Sequence, residues 1–159
     1  MPDSARQAVR KRARTADETD YGLLPQLLGY NLRRAQVAVF ANFQQATGPF
    51  DLTPGQFGVL ILIRENAGLS QSELGNALGI DRSTMVAVID RLEARGLVVR
   101  AASPKDRRSY ALRLSAAGES LVDEMTPRIR AHEAAIAKDL SEAEKATLID
   151  LLSRLAGGN

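Results

Sequence analysis

The chain of 159 residues contains no cysteine. Disulfides, thiol redox sensing and cysteine-ligated zinc are excluded together. A reducing cytoplasm fits that composition and is the expected location. There is a single histidine, His132, so a histidine-rich metal site or a Ser-His-Asp triad has little to draw on. His132 falls in an apolar stripe with Leu121, Met125, Ile129, Ile136 and Leu140, and it reads as a structural histidine in a helix interface. No apolar run approaches membrane-spanning length: "FGVLILI" (57–63) is the longest, where ~20 residues are needed. The N-terminal stretch has no apolar core, so no secretory signal is expected. A phosphate-binding loop of the GxxxxGK(S/T) kind is also missing. Acids adjacent in sequence, Asp17–Glu18 and Asp123–Glu124, do not converge two carboxylates on one substrate. The expectation is a protein that is not an enzyme, with no catalytic residues, no metal and no cofactor.

What is present is ordinary in amount and uneven in distribution. Apolar residues make up 45% and charged residues 25% of the chain, enough for one domain with a real core. The net charge is only +2. Yet residues 1–14 hold five cations (Arg6, Arg10, Lys11, Arg12, Arg14) against Asp3, and residues 81–114 hold eight cations against four acids. Residues 115–159 reverse the balance, with five cations against eight acids. Two basic segments and an acidic C-terminal part point to a polyanion partner on one side only.

The first 20 residues lack a periodic apolar set, and a disordered basic tail is predicted there. It is expected to add affinity for a polyanion without adding specificity. From Leu23 the pattern turns helical, with Leu24, Leu28, Leu32, Val39, Phe40 and Phe43 at helical spacing, to about Thr47. "LTPGQ" opens the next helix: Thr53 as N-cap, Pro54 at the first helical position and Gln56 completing a capping box. In "LSQSELGNALGIDRSTMVAVIDRLEARGLVVR", Ser70 and Glu73 form a second box. A short helix over about 71–78 stops at Gly79, and Asp81 caps a longer one over about 82–95 that ends at Gly96. Leu74, Leu78, Ile80, Met85, Val88, Ile89 and Leu92 are the inward positions. A short helix, a tight turn and a longer helix make a helix-turn-helix.

"LVVRAA" and "SYALRLS" read as two strands, with Tyr110, Leu112 and Leu114 on one face and Ala111 and Arg113 on the other. Between them "SPKDRRSY" (103–110) sets Lys105, Arg107 and Arg108 around Asp106. This is a hairpin tip directly following a helix-turn-helix, which is a wing. Residues 100–113 carry five cations and a single acid, suited to phosphates and to the minor groove beside the major groove that the helix enters. Ser115 caps a long helix running to about Asp139, and Ser141 with Glu144 forms a third capping box ahead of a last helix bearing Leu148, Leu151, Leu152 and Leu155.

In this order, "LTPGQFGVLILI", the helix-turn-helix stretch, "DRR" in the wing and "LRLSAAG" resemble the MarR family of transcription regulators, over about residues 24–155. The resemblance implies a mainly α fold: a winged helix-turn-helix (about 50–114) with a small β-hairpin wing, flanked by dimerisation helices at about 21–47 and 115–156. On this reading, residues 21–159 form one regulator domain. The implied partners are double-stranded DNA carrying a pseudo-palindromic operator and a second copy of the chain. A small aromatic or phenolic effector, such as an acid or its coenzyme A thioester, is implied to relieve repression.

The resemblance places DNA contacts at Ser70, Gln71, Arg82, Ser83, Thr84, Val86, Ala87, Lys105, Asp106, Arg107 and Arg108. Arg108 matches the minor-groove arginine, with Asp106 as its partner. Many members carry a polar pair where this chain has Val86 and Ala87. Those side chains can touch thymine methyls but cannot donate hydrogen bonds, which leaves direct readout to Arg82, Ser83 and Thr84. Tyr30, Arg33, Arg34, Phe40, Phe57 and Ile61 are candidate effector contacts. The alternative is a winged-helix DNA-binding protein without a small-molecule effector.

Overall fold

The structure, a computed structural model, describes residues 19–102 and 110–157. A single 3-10 turn, Leu24–Gln26, precedes helix α1 (Leu28–Thr47). A second such turn, Gly48–Phe50, leads to α2 (Pro54–Glu65), α3 (Gln71–Leu78) and α4 (Arg82–Ala94). Strands β1 (Val98–Ala102) and β2 (Tyr110–Leu114) pair antiparallel, with Val98 opposite Leu114 and Ala102 opposite Tyr110. Helices α5 (Ala116–Ile136) and α6 (Glu142–Leu155) follow. The architecture is mainly α with one two-stranded sheet, as expected. No helix among the described residues is long and apolar enough to cross a membrane. Two compact units divide inside α1, between Val37 and Ala38.

Local chemistry starts and stops these elements where the sequence indicates. Thr53 Oγ1 accepts the Gln56 amide (3.2 Å), while the Thr53 amide donates to Gln56 Oε1 (2.9 Å). Ser70 with Glu73 and Ser141 with Glu144 close the same reciprocal box. Each box satisfies amides that the first helical turn leaves without intrahelical acceptors. Gly79 ends α3 at φ 62°, in the left-handed region that side chains avoid.

The core belongs to the second unit. Val59, Leu60 and Ile63 of α2, Leu74 of α3, and Met85, Ile89 and Leu92 of α4 have no exposed surface. Neither do Leu112 of β2 or Val122 and Met125 of α5. Leu78, Ile80 and Val88 are partly buried against this cluster, so every inward position read from the helix-turn-helix packs as expected. The wing is tied in at two places. The Leu112 amide donates to Leu69 O and the Gly68 amide donates to Leu112 O, each at 2.9 Å, so β2 bonds to the α2–α3 connection as well as to β1. Arg100 of β1 donates to Asp90 Oδ1 (2.6 Å) and to Glu93, both on α4. The hairpin is thereby held to the second helix of the motif.

Three expectations need correction. The first α-helix begins at Leu28, not near Leu23, because Pro25 supports only a 3-10 turn and Leu27 is extended. Of its expected stripe only Phe43 is buried, and Leu24 and Leu28 remain 42% and 61% exposed. The helix after the wing ends at Ile136, short of Asp139. Tyr110 alternates with Leu112 in the strand and is 58% exposed.

Candidate functional site

The start of α4 is built around Asp81. Its Oδ1 accepts the Ser83 hydroxyl (2.5 Å) and the Thr84 amide (3.0 Å), and its Oδ2 accepts the Thr84 hydroxyl (2.6 Å). Bonds from the Ser83 hydroxyl, then from the hydroxyl and amide of Thr84, hold the Asp81 carboxyl far below the ordinary carboxylate range. The helix therefore begins with a fixed anionic cap. Both hydroxyl protons are committed to it, so Ser83 and Thr84 offer outward lone pairs, not donors. Base edges that donate, adenine N6 and cytosine N4, fit such a surface. Arg82, also exposed, supplies the donors. Val86 is 37% exposed and Ala87 is exposed, so Arg82, Ser83, Thr84, Val86 and Ala87 together form an outward face.

At the start of α3, Ser70 is spent on its capping box, donating to Glu73 Oε2 (2.8 Å) and accepting the Glu73 amide (3.3 Å). Gln71 is half-buried, and its Nε2 is buried with no acceptor among the described residues. Lys105, Asp106, Arg107 and Arg108 lie outside the described residues, in the chain between Ala102 and Tyr110. One wing cation is already neutralised: Arg100 is paired with Asp90 and Glu93. The positive charge of this hairpin is lower than a count along the sequence implies.

A second feature is an apolar cleft of about 460 Å³, within the ~300–1,000 Å³ range of small-molecule sites. Phe57 and Ile61 of α2 line it, as do Ala77 and Leu78 at the end of α3. Val39 and Phe43 of α1 and Ile129, His132 and Glu133 of α5 complete it. His132 is 3% exposed, its Nδ1 lies 2.7 Å from Asn42 Oδ1, and its ring meets Phe43 edge-on at 5.6 Å. A larger cleft, about 680 Å³, lies between the end of α1 and the last turns of α4. It is rimmed chiefly by polar side chains, including Gln44, Asp51, Gln56 and Arg91, and Arg95 there donates to Asp51 O (2.6 Å) and Phe50 O (2.7 Å).

Residues 50–109 match the sequence profile of the MarR family. Over 139 residues the chain is 40% identical to a putative transcriptional regulatory protein for the hcr operon of Thauera aromatica, covering 87% of this chain and 84% of that relative. The chain belongs to the MarR family. Among solved structures it is similar to the transcriptional repressor CouR bound to a 23-mer DNA duplex, with a TM-score of 0.82 at 40% identity, over 87% of this chain and 99% of that one. CouR bound to p-coumaroyl-CoA matches with a TM-score of 0.81 at 37% identity, over 87% and 98% of the two chains. Bordetella bronchiseptica BpsR, whose DNA binding is regulated by 6-hydroxynicotinic acid, matches with a TM-score of 0.80 at 32% identity, over 89% and 100%.

In this MarR-family regulator, the expected effector contacts separate. Phe57 and Ile61 are brought together in the apolar cleft, whereas Phe40 is 42% exposed and does not line it. An aromatic residue on α1 reads as inward from spacing alone, but Val39 and Phe43 take the inward positions. Tyr30, Arg33 and Arg34 belong to the unit that ends at Val37. There Arg33 donates to Gln36 Oε1 (3.1 Å), and the Arg34 guanidinium sits 5.7 Å from the Tyr30 ring, which itself packs 6.3 Å from Tyr21. The sequence reading missed Asn42 as the partner of His132. The two are 90 positions apart, and no local pattern links them.

Proposed function

We propose that this chain is a dimeric repressor that binds a pseudo-palindromic operator and releases it when a small aromatic or phenolic acid, or its coenzyme A thioester, enters the apolar cleft. One observation carries this reading. The cleft is walled by Ala77 and Leu78 of α3, the helix that packs on α4 within the helix-turn-helix. A ligand there touches the support of the outward face at the start of α4. If its fit differs between the DNA-competent and DNA-free arrangements, occupancy shifts their balance. The regulators and repressors to which the chain is similar support the DNA half of the reading. CouR with p-coumaroyl-CoA and BpsR with 6-hydroxynicotinic acid support the effector half.

The test is operator binding by fluorescence anisotropy on the inverted repeat nearest the gene, with p-coumaroyl-CoA and 6-hydroxynicotinic acid titrated at fixed salt. An effector is expected to weaken DNA binding by about 5–150-fold, and by linkage DNA must weaken effector binding by the same factor. Tight, symmetric DNA binding that neither compound alters would support the effector-free alternative instead.

DNA contact by the start of α4, by Ser70 and Gln71, and by Lys105, Asp106, Arg107 and Arg108 is part of this proposal. Arg108→Ala is expected to weaken operator binding by about 1–3 kcal/mol per half-site and to relax preference at flanking A·T positions. Melting should hardly change. Arg107→Ala is the internal control, and Asp106→Ala should show a smaller version of the same defect. Affinities at one salt concentration, with melting temperatures alongside, decide it. Parent-like binding by Arg108→Ala removes that arginine from the interface.

A further inference from the structure

The apolar cleft is lined by one imidazole that the fold has oriented and whose second nitrogen makes no hydrogen bond among the described residues. His132 is 3% exposed and lines the cleft. Its Nδ1 faces Asn42 Oδ1 at 2.7 Å. An amide oxygen only accepts, so Nδ1 carries the hydrogen and donates. In the neutral ring the other nitrogen, Nε2, then presents a lone pair. Among the described residues Nε2 makes no hydrogen bond: the nearest ionisable group is Glu133, with Oε1 at 3.9 Å, beyond hydrogen-bonding distance. Asn42 thus sets the tautomer, and Phe43, edge-on at 5.6 Å, holds the ring plane.

The rest of the lining is hydrocarbon and aromatic, from Val39, Phe57, Ile61, Leu78 and Ile129, apart from the Glu133 carboxylate. That carboxylate disfavours an anionic head group beside His132, since like charges in a partly desolvated site repel. A neutral hydroxyl donor meets neither objection.

We infer that the effector enters ring first and carries a hydroxyl on its aromatic ring, which donates to His132 Nε2, while its acid or thioester end stays outside the apolar lining. The inference rests on the effector reading above and narrows it to hydroxyaryl compounds. His132 becomes a specificity-determining residue, and Asn42 a positioning residue acting through it. An apolar cleft alone discriminates poorly between ring substituents. A site with a partly desolvated acceptor disfavours the analogue that leaves that acceptor unpaired.

The experiment is calorimetric binding of p-coumaroyl-CoA, cinnamoyl-CoA and 4-fluorocinnamoyl-CoA to the full chain and to His132→Phe. The fluoro compound is close in size to the hydroxyl compound but has no donor. The parent is expected to bind p-coumaroyl-CoA up to about tenfold more tightly than either analogue, the effect of one well-made hydrogen bond. His132→Phe keeps an aromatic ring against Phe43 and removes the acceptor. It should bind all three alike, near the parent's affinity for the unsubstituted thioester. Equal affinities in the parent would overturn the inference even if every thioester releases DNA, and the effector reading would then stand without it. A preference kept by His132→Phe would overturn it too. If no thioester binds the parent, the inference falls, and the effector reading is then decided by the free-acid arm of the operator test. The three-way comparison in the parent decides the matter even if His132→Phe does not fold.

Discussion

A chain carrying Leu148→Asp and Leu152→Asp is expected to be a monomer at ~10 µM and to lose operator affinity by roughly 10²–10⁴-fold, the loss that follows when two linked contacts become one. Helix α6 buries none of its residues in the single chain. Leu148, Ile149, Leu151, Leu152 and Leu155 are between 40% and 57% exposed along it. Apolar surface of that density on one helix is uncommon unless a partner covers it. A second copy related by a two-fold axis is the commonest solution. On the proposed reading the dimer sets the spacing of two half-sites about one helical turn apart, so a monomer keeps the outward face of α4 and loses the second contact. Sedimentation velocity gives the assembly state and anisotropy the affinity. Because α6 supplies nothing to the buried core, far-UV circular dichroism should show the remaining helices intact. A dimer that survives both aspartates places the interface elsewhere. A monomer that binds the full operator like the parent refutes the half-site argument.

Gly118→Ala is expected to destabilise the fold by about 3 kcal/mol, at the upper end of what overpacking usually costs. A Cβ at this position would lie 2.2 Å from Leu97 O, 3.1 Å from Leu97 C and 3.4 Å from Leu114 Cβ. The nearest atom is backbone and cannot swing aside. It is also committed, since Leu97 O accepts the Ser115 amide at 3.0 Å. Next to it, the Ser115 hydroxyl donates to Gly96 O (2.5 Å) and accepts the Gly118 amide (3.0 Å). This joint is where α5 starts against the residue that precedes β1, so relieving the clash moves the wing relative to the core. Urea unfolding measures the loss, and a melting temperature lowered by about 10 °C is the corresponding thermal result. Gly29→Ala is the contrast: nothing lies within 4 Å of a Cβ there, so the substitution should be neutral or stabilising in the helix. A Gly118→Ala protein as stable as the parent would mean that the α5 start yields easily.

Much of this protein was legible from short stretches because the deciding interactions are short. A capping box needs residues three apart, and Thr53–Gln56, Ser70–Glu73 and Ser141–Glu144 all close as their spacing predicts. The helix-turn-helix depends on helical periodicity and on Gly79 at positive φ, both local. The family resemblance rests on those same local signals, so fold class and family followed from them.

What required tertiary structure were the pairings between distant residues and the reach of the core. Arg100 counts as a free wing cation until α4 brings Asp90 and Glu93 to it. Tyr110 and Leu112 share one strand alternation, yet only Leu112 lies over the core. Phe40 and Phe43 are three apart on one helix, and only packing decides that Phe43 lines the cleft while Phe40 stays outside. His132 is marked by its apolar stripe as a structural histidine. That its Nδ1 is held by Asn42, and that Nε2 is left over beside an apolar cleft, depends on α1 meeting α5 across 90 positions of sequence. Periodicity says which side chains turn inward along one element. Only the packing of elements against each other decides what an inward side chain meets.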